Sequence, residues 1–485
     1  MKVAFVEPAI MNVEPLGIAY LTQVLINDGH EVRYFEYPRK NFFRRVKDFN
    51  PNVLAYSITT GKHRLCRNLN LLLRNQIKAI SLFGGPHCTF FPEFIQSDDL
   101  IDGICQGEGE YALVELLRKI EKGQDYSGTP NWWLRVKGGI YKNPVREKIA
   151  DLDSIPFPNR EVIYAENHEL RDTPIKRVLG SRGCPFVCSY CFNKRYNDLY
   201  QGKGAVYRQR SPLNIVQEVK EIQRKYSLTF LKFAEDIFDL EMDNPLFLDI
   251  YSREVRIPFI CNVRPNMINE DKAKQLKKAG CVAVTMAVES ANDFIRNKIL
   301  NRNLSSEILN ETVEILKCAK IRVWTQNIIA NPGETFETAL QTFNFNVKHK
   351  VDFAECFILT PFPGTMIYEY CVKNNLFDGR VEALPDSYWL DSVIRFDSIR
   401  EKNQLINFQK FFSFGVQHPK ALPIIKMLIK LPPNNLFVFF NRLYDSWRTY
   451  RVLRAKFKIV NFIEVVINNI RYILTYFFKK ERQKL

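Results

Sequence analysis

Short apolar runs alternate with longer amphipathic segments over the first 125 residues of the chain. KVAFVEP, near the N-terminus, has the length and composition of a strand, whereas LGIAYLTQVLIN repeats its apolar residues with a helical period. Strands separated by helix-length segments predict a parallel sheet with crossover helices. We therefore expect a Rossmann-like, doubly wound α/β domain over residues 1–125.

Small and polar residues follow several of these predicted strands. Ligands of parallel sheets bind beyond the carboxyl ends of the strands, so residues there are candidates for ligand binding. Gly84 and Gly85 carry no side chain and would let the backbone approach a large flat ligand. The candidates at this edge are Ser57, Thr59, Gly84, Gly85, His87, Gly107 and Glu108.

The alternating pattern loosens over residues 126–172, where NWWLRVKGGIYKNP predicts a hairpin and DLDSIPFPNRE a proline-rich linker. It resumes over residues 173–375, where six strand-like runs are separated by helix-length segments. This second part predicts a partial (β/α)6 barrel with its active site at the carboxyl ends of the strands. Residues 376–485 are helical in period, so we expect a helical C-terminal region.

Positive charge is concentrated at the C-terminal end of the chain. The net charge is +16, and the last 85 residues hold 16 Lys and Arg against 4 Asp and Glu. These basic residues are interleaved with Phe, Tyr, Trp and Ile, a pattern that favours a membrane surface over a nucleic acid. We expect no nucleic-acid partner. A helical cap over the active site, or a dimer contact, would explain the same pattern equally well.

Cysteine usage and the N-terminus predict the cellular compartment. The chain has 11 cysteines, most of them scattered in apolar runs, which is typical of reduced intracellular proteins. The first residues lack the features of a signal peptide, and Glu464 and Arg471 interrupt the longest apolar C-terminal stretch. We expect a cytoplasmic protein that contacts the inner face of the membrane peripherally.

Three cysteines form the one tight group in the sequence: Cys184, Cys188 and Cys191, within CPFVCSYC at the end of a predicted strand. Three thiolates can hold three irons of a cubic iron-sulfur cluster and leave the fourth iron open to a ligand. A zinc knuckle that recruits His87 is one alternative, since structural zinc takes four ligands. Three ordinary core cysteines are another.

The C-x-x-x-C-x-x-C spacing, after a strand and before a helix, resembles the signature of the radical S-adenosylmethionine (SAM) superfamily. This resemblance implies that Cys184, Cys188 and Cys191 ligate a 4Fe-4S cluster. It also implies that the amino and carboxylate groups of SAM chelate the open iron, and that reductive cleavage yields a 5′-deoxyadenosyl radical. An electron donor such as flavodoxin or ferredoxin is then expected.

The same resemblance extends strand by strand to a set of SAM-binding residues. It implies that Tyr190 contacts adenine, Glu235 the methionine amino group and Arg264 the methionine carboxylate. Glu289 and Ser290 match the ribose-binding strand, and Asn331, in ANPGET, matches a later loop near adenine. The family's usual glycines before Glu235 are replaced by Phe233 and Ala234.

The N-terminal domain, with PLGIAYL, GGPH and QGEGE, is similar to the cobalamin-binding domain of cobalamin-dependent radical SAM enzymes. Asp28-Gly-His30 imitates a cobalt-ligating histidine motif, but Arg33 replaces its glycine, so we expect no cobalt ligand from His30. An empty scaffold remains an alternative. So does a methylthiotransferase, whose N-terminal domain would carry a second cluster, here on Cys66, Cys88 and Cys105.

The expected cofactors are therefore a 4Fe-4S cluster, SAM and cobalamin. The resemblance implies a methyltransferase acting at an unreactive carbon of an unidentified substrate, which the basic and aromatic C-terminal region suggests is a lipid or another hydrophobic molecule. An oxidative cyclase or a ring-rearranging enzyme would use the same two domains. An iron-sulfur electron carrier is less consistent with the sequence, because a carrier does not need Glu235, Arg264 and Glu289 as a SAM pocket.

Overall fold

The computed structural model describes residues 1–8, 13–238, 244–385 and 387–453. Its first sheet has seven strands in the order β2-β1-β3-β4-β5-β6-β7, of which the first five are parallel and the last two antiparallel. The strands are β1 (Lys2–Pro8), β2 (Glu31–Tyr37), β3 (Val53–Ser57), β4 (Ile80–Gly84), β5 (Gly103–Cys105), β6 (Trp132–Val136) and β7 (Gly139–Lys142).

Helices cover both faces of this sheet. One hydrophobic cluster joins α1 and α5 to one face, and a second joins α2 and α3 to the other, because successive strand residues point to opposite faces. The doubly wound arrangement is confirmed. The helices are α1 (Leu16–Asn27), α2 (Phe42–Phe49), α3 (His63–Arg74), α4 (Pro86–Phe90) and α5 (Glu110–Glu121).

The segment predicted as a linker has structure of its own. Its hairpin, β6 and β7, extends the first sheet beyond β5 and so belongs with that sheet. Two short helices follow, α6 (Arg160–Glu166) and α7 (His168–Asp172). The side chain of Asn159 caps α6 by accepting a hydrogen bond from the backbone of Val162.

The second sheet has six parallel strands in the order β15-β14-β13-β12-β11-β8, open at both edges. It confirms the partial barrel predicted from the six apolar runs. Its strands, with the small β9 and β10 pair beside them, are β8 (Ile175–Val178), β9 (Ser181–Arg182), β10 (Arg208–Gln209), β11 (Phe230–Phe233), β12 (Phe259–Val263), β13 (Cys281–Glu289), β14 (Arg322–Ile329) and β15 (Phe353–Ile358).

Helices between these strands cover the outer face, where one large hydrophobic cluster forms the core. Several begin at a Ser, Thr or Asn whose side chain accepts a backbone N–H of the first turn, for example Ser211, Asn269 and Thr335. The helices are α8 (Asn193–Leu199), α9 (Pro212–Lys225), α10 (Asn244–Glu254), α11 (Glu270–Lys278), α12 (Ser306–Cys318), α13 (Phe336–Lys348) and α14 (Met366–Lys373).

The described part of the C-terminal region is helical from residue 399 onward and packs on the edge strand β15. The described residues between 376 and 398 were also predicted to be helical, but they form turns and irregular backbone apart from one short 3-10 helix, Val381–Ala383. It comprises α15 (Ile399–Gln417), α16 (Leu422–Leu428) and α17 (Asn435–Leu453). Gln409 and Ser413 donate hydrogen bonds of 2.7 and 2.8 Å to the carbonyls of Cys356 and Ala354, so α15 covers an otherwise open sheet edge. Glu464 and Arg471 lie outside the described residues.

Candidate active site

A cavity of about 380 Å³ lies where the two sheets meet. The first sheet contributes residues that follow β3, β4 and β5, and the second contributes residues that follow β8, β9 and β11. The carboxyl ends of both sets of strands therefore face one volume, the usual position of ligands in α/β proteins. Predicted site residues in its lining are Ser57, Gly84, Gly85, Gly107, Glu108 and Glu235.

Buried ion pairs hold the two walls of this cavity together. Glu108, after β5, accepts a 2.7 Å hydrogen bond from Arg208 of β10. Arg182 of β9 donates to Glu110 at 2.6 Å. Although burial acts to raise it, hydrogen bonds from Arg208 and the charge of Arg182 hold the pKa of Glu108 below its usual range. The Glu108 carboxylate thus connects the two domains, and its hydrogen-bonding capacity is used by residues of the protein itself.

The three cysteines lie on one loop between β9 and α8. Gly183 starts this loop with a φ of +92°, and a Cβ there would lie 2.0 Å from the carbonyl oxygen of Val206, so the turn requires glycine. Burial, with the nearby Asp236, Cys188 and Cys184, raises the pKa of Cys191 to about 12. Iron binding must therefore release the thiol protons.

The donor groups around the sulfurs suit a negatively charged cluster. Cys188 Sγ accepts hydrogen bonds from Arg264 at 3.5 Å and from Arg302 at 3.6 Å, and Cys191 Sγ accepts one from Asn193 at 3.5 Å. Within the described ranges, no three His, Cys, Asp or Glu side chains converge on a single-ion site. A cubic cluster does not need such convergence, because each thiolate bonds a different iron.

Tyr190, Glu289 and Arg302 form a buried hydrogen-bonded group beside the cysteine loop. Tyr190 Oη donates to Glu289 Oε1 at 2.7 Å and accepts from Arg302 at 3.0 Å. Glu289 ends β13 at a register shift and has a φ of +62°, a left-handed conformation that a residue with a side chain rarely adopts. Its second oxygen, Oε2, is buried without a partner in the described part of the chain.

Two carboxylates follow β11 at the cavity wall. Glu235 is buried, and its Oε2 accepts a long 3.5 Å hydrogen bond from the backbone of Gly180. Burial raises the pKa of Glu235 to about 8. Asp236 is exposed to the cavity and accepts a hydrogen bond from Asn193 at 3.2 Å. A cationic group that enters beside Glu235 would stabilise its ionised form.

Glycines form the opposite wall of the cavity. Gly85 has a φ of +89°, and a Cβ there would lie 2.8 Å from the backbone nitrogen and oxygen of Ile58. A Cβ at Gly107 would lie 1.9 Å from Tyr200 Oη. The wall is therefore backbone at these points, which suits a broad, flat ligand. Among the described residues that line this cavity there is no histidine.

Two family models match the chain on either side of this cavity. The B12 binding domain matches residues 5–117, which include the glycine wall. The Radical SAM superfamily matches residues 178–345, which include the three cysteines. The chain belongs to the cobalamin-dependent radical SAM enzymes. The prediction of a 4Fe-4S cluster, SAM and cobalamin as cofactors is confirmed.

Relatives of this radical SAM enzyme include methyltransferases and cyclases. The uncharacterized methyltransferase PH0819 of Pyrococcus horikoshii is 27% identical over 75% of this chain and 79% of its own length. Anaerobic magnesium-protoporphyrin IX monomethyl ester cyclase of Cereibacter sphaeroides is 24% identical over 73% of this chain and 60% of its own length. The solved structure of TsrM from Kitasatospora setae, with cobalamin and a [4Fe-4S] cluster bound, matches with a TM-score of 0.67 at 16% identity, over 93% of this chain and 98% of TsrM. The last match shows a shared fold.

Two residues predicted for the cobalamin side of the radical SAM enzyme lie outside the cavity lining. Thr59 is exposed on the loop that leaves β3. His87 lies on α4 with its ring turned into the core, where it stacks on His63 with 4.4 Å between ring centroids and lies 2.9 Å from Thr60 Oγ1. His30 pairs with Asp28 at 3.2 Å, away from the lining, as expected for a turn residue.

Ser290 and Asn331 organise the loops that follow β13 and β14. Ser290 Oγ is buried and accepts a 3.2 Å hydrogen bond from the backbone of Asn292. Asn331 Nδ2 donates to Glu334 Oε2 at 2.9 Å. Asn331 Oδ1 and Glu334 Oε1 remain buried without partners in the described residues. Unpartnered acceptors at adjacent strand ends fit SAM, which carries ammonium, amino and hydroxyl donors.

Three polar residues near the site were not singled out from the sequence: Arg302, Asp236 and Glu334. Arg302 contacts both Cys188 and Tyr190 but lies in the irregular segment before α12, where no motif marks it. Asp236 directly follows Glu235, so its position next to a predicted SAM-binding residue could have identified it. Glu334 was within the ANPGET motif, and burial raises its pKa to about 7.

Proposed function

We propose that the chain is a methyltransferase that acts on an unactivated carbon of a small molecule. The observation that carries this proposal is a cavity bounded by both domains, with the glycine wall on one side and Glu235 and Asp236 on the other. A methyl donor held on the first wall and a hydrogen-abstracting group held on the second would reach the same substrate atom. Such positioning contributes a large part of enzymatic rate enhancement.

The cofactor roles of individual residues belong to this proposal. Cys184, Cys188 and Cys191 would hold the cluster, and Arg264 and Arg302 would stabilise the thiolate charge through their hydrogen bonds to Cys188. When bound, the cluster and SAM supply a carbon-centred radical, and cobalamin supplies the methyl group. The chain positions these reactants and excludes water from between them.

The SAM-binding residues would each recognise one part of the molecule. Glu235 would accept the methionine ammonium, and Arg264, whose guanidinium lies 3.8 Å above the ring of Phe186, would hold the carboxylate. Tyr190 would contact adenine, with its hydroxyl fixed by Glu289. Glu289 and Ser290 would support the ribose, and Asn331 would support the adenine loop.

A label test distinguishes methyl transfer from the alternative reactions. The reconstituted chain, a reductant and SAM labelled with ¹⁴C in the methyl group are incubated with small-molecule extracts of the source organism. We expect label in a small-molecule product that forms only when cobalamin is present. Substrate consumption without label in the product would contradict a methyltransferase.

Oxidative ring closure is the second candidate, because the cyclase of Cereibacter sphaeroides is a relative over most of this chain. The same cavity would then hold a substrate whose two carbons are joined. In the label test this reaction would consume SAM and give an unlabelled product. An electron donor such as flavodoxin or ferredoxin would serve either reaction.

A prediction on pH follows from Glu235. Because burial raises the pKa of this carboxyl to about 8, the folded chain binds the proton more tightly than the unfolded chain, and stability is lost as pH rises from about 4.5 toward 8. Without cofactors, the Tm of Glu235→Gln should match that of the wild type at pH 5 and exceed it by a few °C at pH 8.5. Thermal unfolding measured by circular dichroism checks this.

Glu337→Gln, on an exposed position of α13, is the matched control for the pH experiment. The difference in Tm between Glu337→Gln and the wild type should be the same at pH 5 and at pH 8.5. If Glu235→Gln behaves like this control, Glu235 is not a buried, protonated carboxyl in the cofactor-free chain.

We also propose that the C-terminal region contacts an anionic membrane surface. Met427 and Leu436 are 66% and 77% exposed. Lys420, Lys426 and Lys430 lie on both sides of Met427 in the sequence, and Leu436 follows them. None of the helices in the described part of the chain has the length and hydropathy needed to cross a membrane. Exposed apolar side chains near lysines suit the interface of an anionic bilayer. At that interface the enzyme would have access to a hydrophobic substrate.

Liposome flotation tests this surface. The wild type should float with vesicles containing about 30% phosphatidylglycerol and remain behind with pure phosphatidylcholine vesicles, because anionic lipid attracts the lysines. Met427→Glu combined with Leu436→Glu should lower the bound fraction severalfold. Leu213→Glu, at a leucine of α9 that is 58% exposed, is the control and should float like the wild type. Equal flotation of all three proteins would contradict the proposal.

A further inference from the structure

A complete ring of polar side chains lies inside the six-stranded sheet. Below this ring, at the amino ends of the strands, a cluster of apolar residues closes the barrel interior. The cluster consists of Phe230, Ile260, Ala283, Trp324 and Phe353, and Ile175 packs against it. Side chains two residues apart on a strand point to the same face. The next inward position on every strand is polar: Arg177, Lys232, Asn262, Thr285, Gln326 and Glu355.

The ring lies between this apolar closure and the cavity. On β8 and β11, the inward positions that follow Arg177 and Lys232 are Leu179 and Ala234, and both of these line the cavity. The ring members are not themselves among the residues that line the cavity, but all of them except Thr285 are partly accessible to solvent. A ligand that enters the cavity can therefore extend down the barrel interior to the ring.

The ring has an excess of positive charge. Lys232 and Arg177 are register partners on neighbouring strands, and Glu355 is the one carboxylate of the ring. Glu355 accepts a 3.1 Å hydrogen bond from Trp324 Nε1. Lys232 has neither a hydrogen bond nor an ion pair with any described residue. Burial and the charge of Arg177 lower the pKa of Lys232, while the charge of Glu355 acts in the opposite direction.

We propose that Lys232 and Arg177 bind an anionic oxygen group of the substrate, a carboxylate or a phosphate. This inference rests on the proposed function and names the substrate class that the same site would take. The anionic end would enter first and reach the ring. The apolar part would then lie against Leu179 and Ala234, within reach of the reacting groups above. A largely enclosed cation that no side chain hydrogen-bonds is costly unless a ligand supplies the missing hydrogen bonds.

Equilibrium dialysis of the full chain tests the anion site, with radiolabelled inorganic phosphate and propionate as probes at constant ionic strength. The wild type should bind at least one of them, and the probe that binds identifies phosphate or carboxylate as the recognised group. Lys232→Met should weaken that binding by about tenfold, the loss of one charge-assisted hydrogen bond. The control, Lys278→Met on the exposed face of α11, should bind like the wild type.

Thermal unfolding without a probe separates a binding role from a structural one. Because Lys232→Met removes a largely enclosed amine that makes no hydrogen bond with a described residue, its Tm should equal or exceed that of the wild type. A clear fall in Tm, absence of probe binding by the wild type, or unchanged binding by Lys232→Met would each overturn the proposal. Dialysis requires neither the cluster nor cobalamin, so its outcome is independent of whether the label test finds methyl transfer.

Discussion

Cys188→Ala should remove nearly all iron from the chain and abolish cleavage of SAM. Cys188 is buried, and the side chains of Arg264 and Arg302 donate hydrogen bonds to its sulfur. Without this ligand, two cysteines of the loop cannot hold a cubic cluster that needs three protein thiolates. After anaerobic reconstitution, bound iron should fall from about four atoms per chain to less than about one, and 5′-deoxyadenosine should be undetectable.

Cys318→Ala provides the control for this experiment, because Cys318 is an exposed cysteine at the end of α12. It should keep wild-type iron content and cleavage activity. Circular dichroism of the cofactor-free chains guards against misfolding as the cause of iron loss. Wild-type iron content in a folded Cys188→Ala protein would show that the cluster is held elsewhere.

Gly84→Leu should abolish cobalamin binding while iron binding is retained. A Cβ at Gly84 would lie 3.8 Å from Cys105 Cβ, an ordinary contact, so the substitution begins without strain. Both residues line the cavity, and a leucine side chain would occupy space on the backbone wall where we expect the corrin. Cobalamin bound after gel filtration, measured by absorbance, should fall at least about tenfold, the effect of roughly 1.4 kcal/mol or more in binding.

The matched control is Gly128→Leu, at an exposed glycine where a Cβ meets no atom within 4 Å. It should bind cobalamin like the wild type. Iron content serves as an internal reference, because the cysteine loop lies on the other wall. Retention of cobalamin by Gly84→Leu would place the corrin away from this wall.

Much of the fold could be predicted because local signals coincide with the tertiary arrangement. Each of the six strands of the second sheet lies in a short, largely apolar run, and several of the helices between them begin at a Ser or Asn cap. Cys184, Cys188 and Cys191 are close in sequence, so their proximity in space follows from the chain itself. Gly84, Gly85 and Gly107 stood out because they follow strands.

The parts that could not be predicted depend on contacts between distant residues. Glu108 is paired with Arg208, 100 residues away, so its predicted role in ligand binding did not anticipate the ion pair. His87 follows a strand like the glycines, but α4 turns its ring into the core against His63. Arg302 has no motif, and its contact with Cys188 arises only when the segment before α12 folds back over the cysteine loop.

The assay that tests the central claim most directly is reductive cleavage of SAM by the reconstituted chain. The chain is loaded anaerobically with iron, sulfide and hydroxocobalamin, reduced, and given SAM. Our account predicts 5′-deoxyadenosine, bound corrin, and S-adenosylhomocysteine formed alongside. Absence of 5′-deoxyadenosine from a chain that holds its full complement of iron would contradict a SAM-cleaving site at Cys184, Cys188 and Cys191.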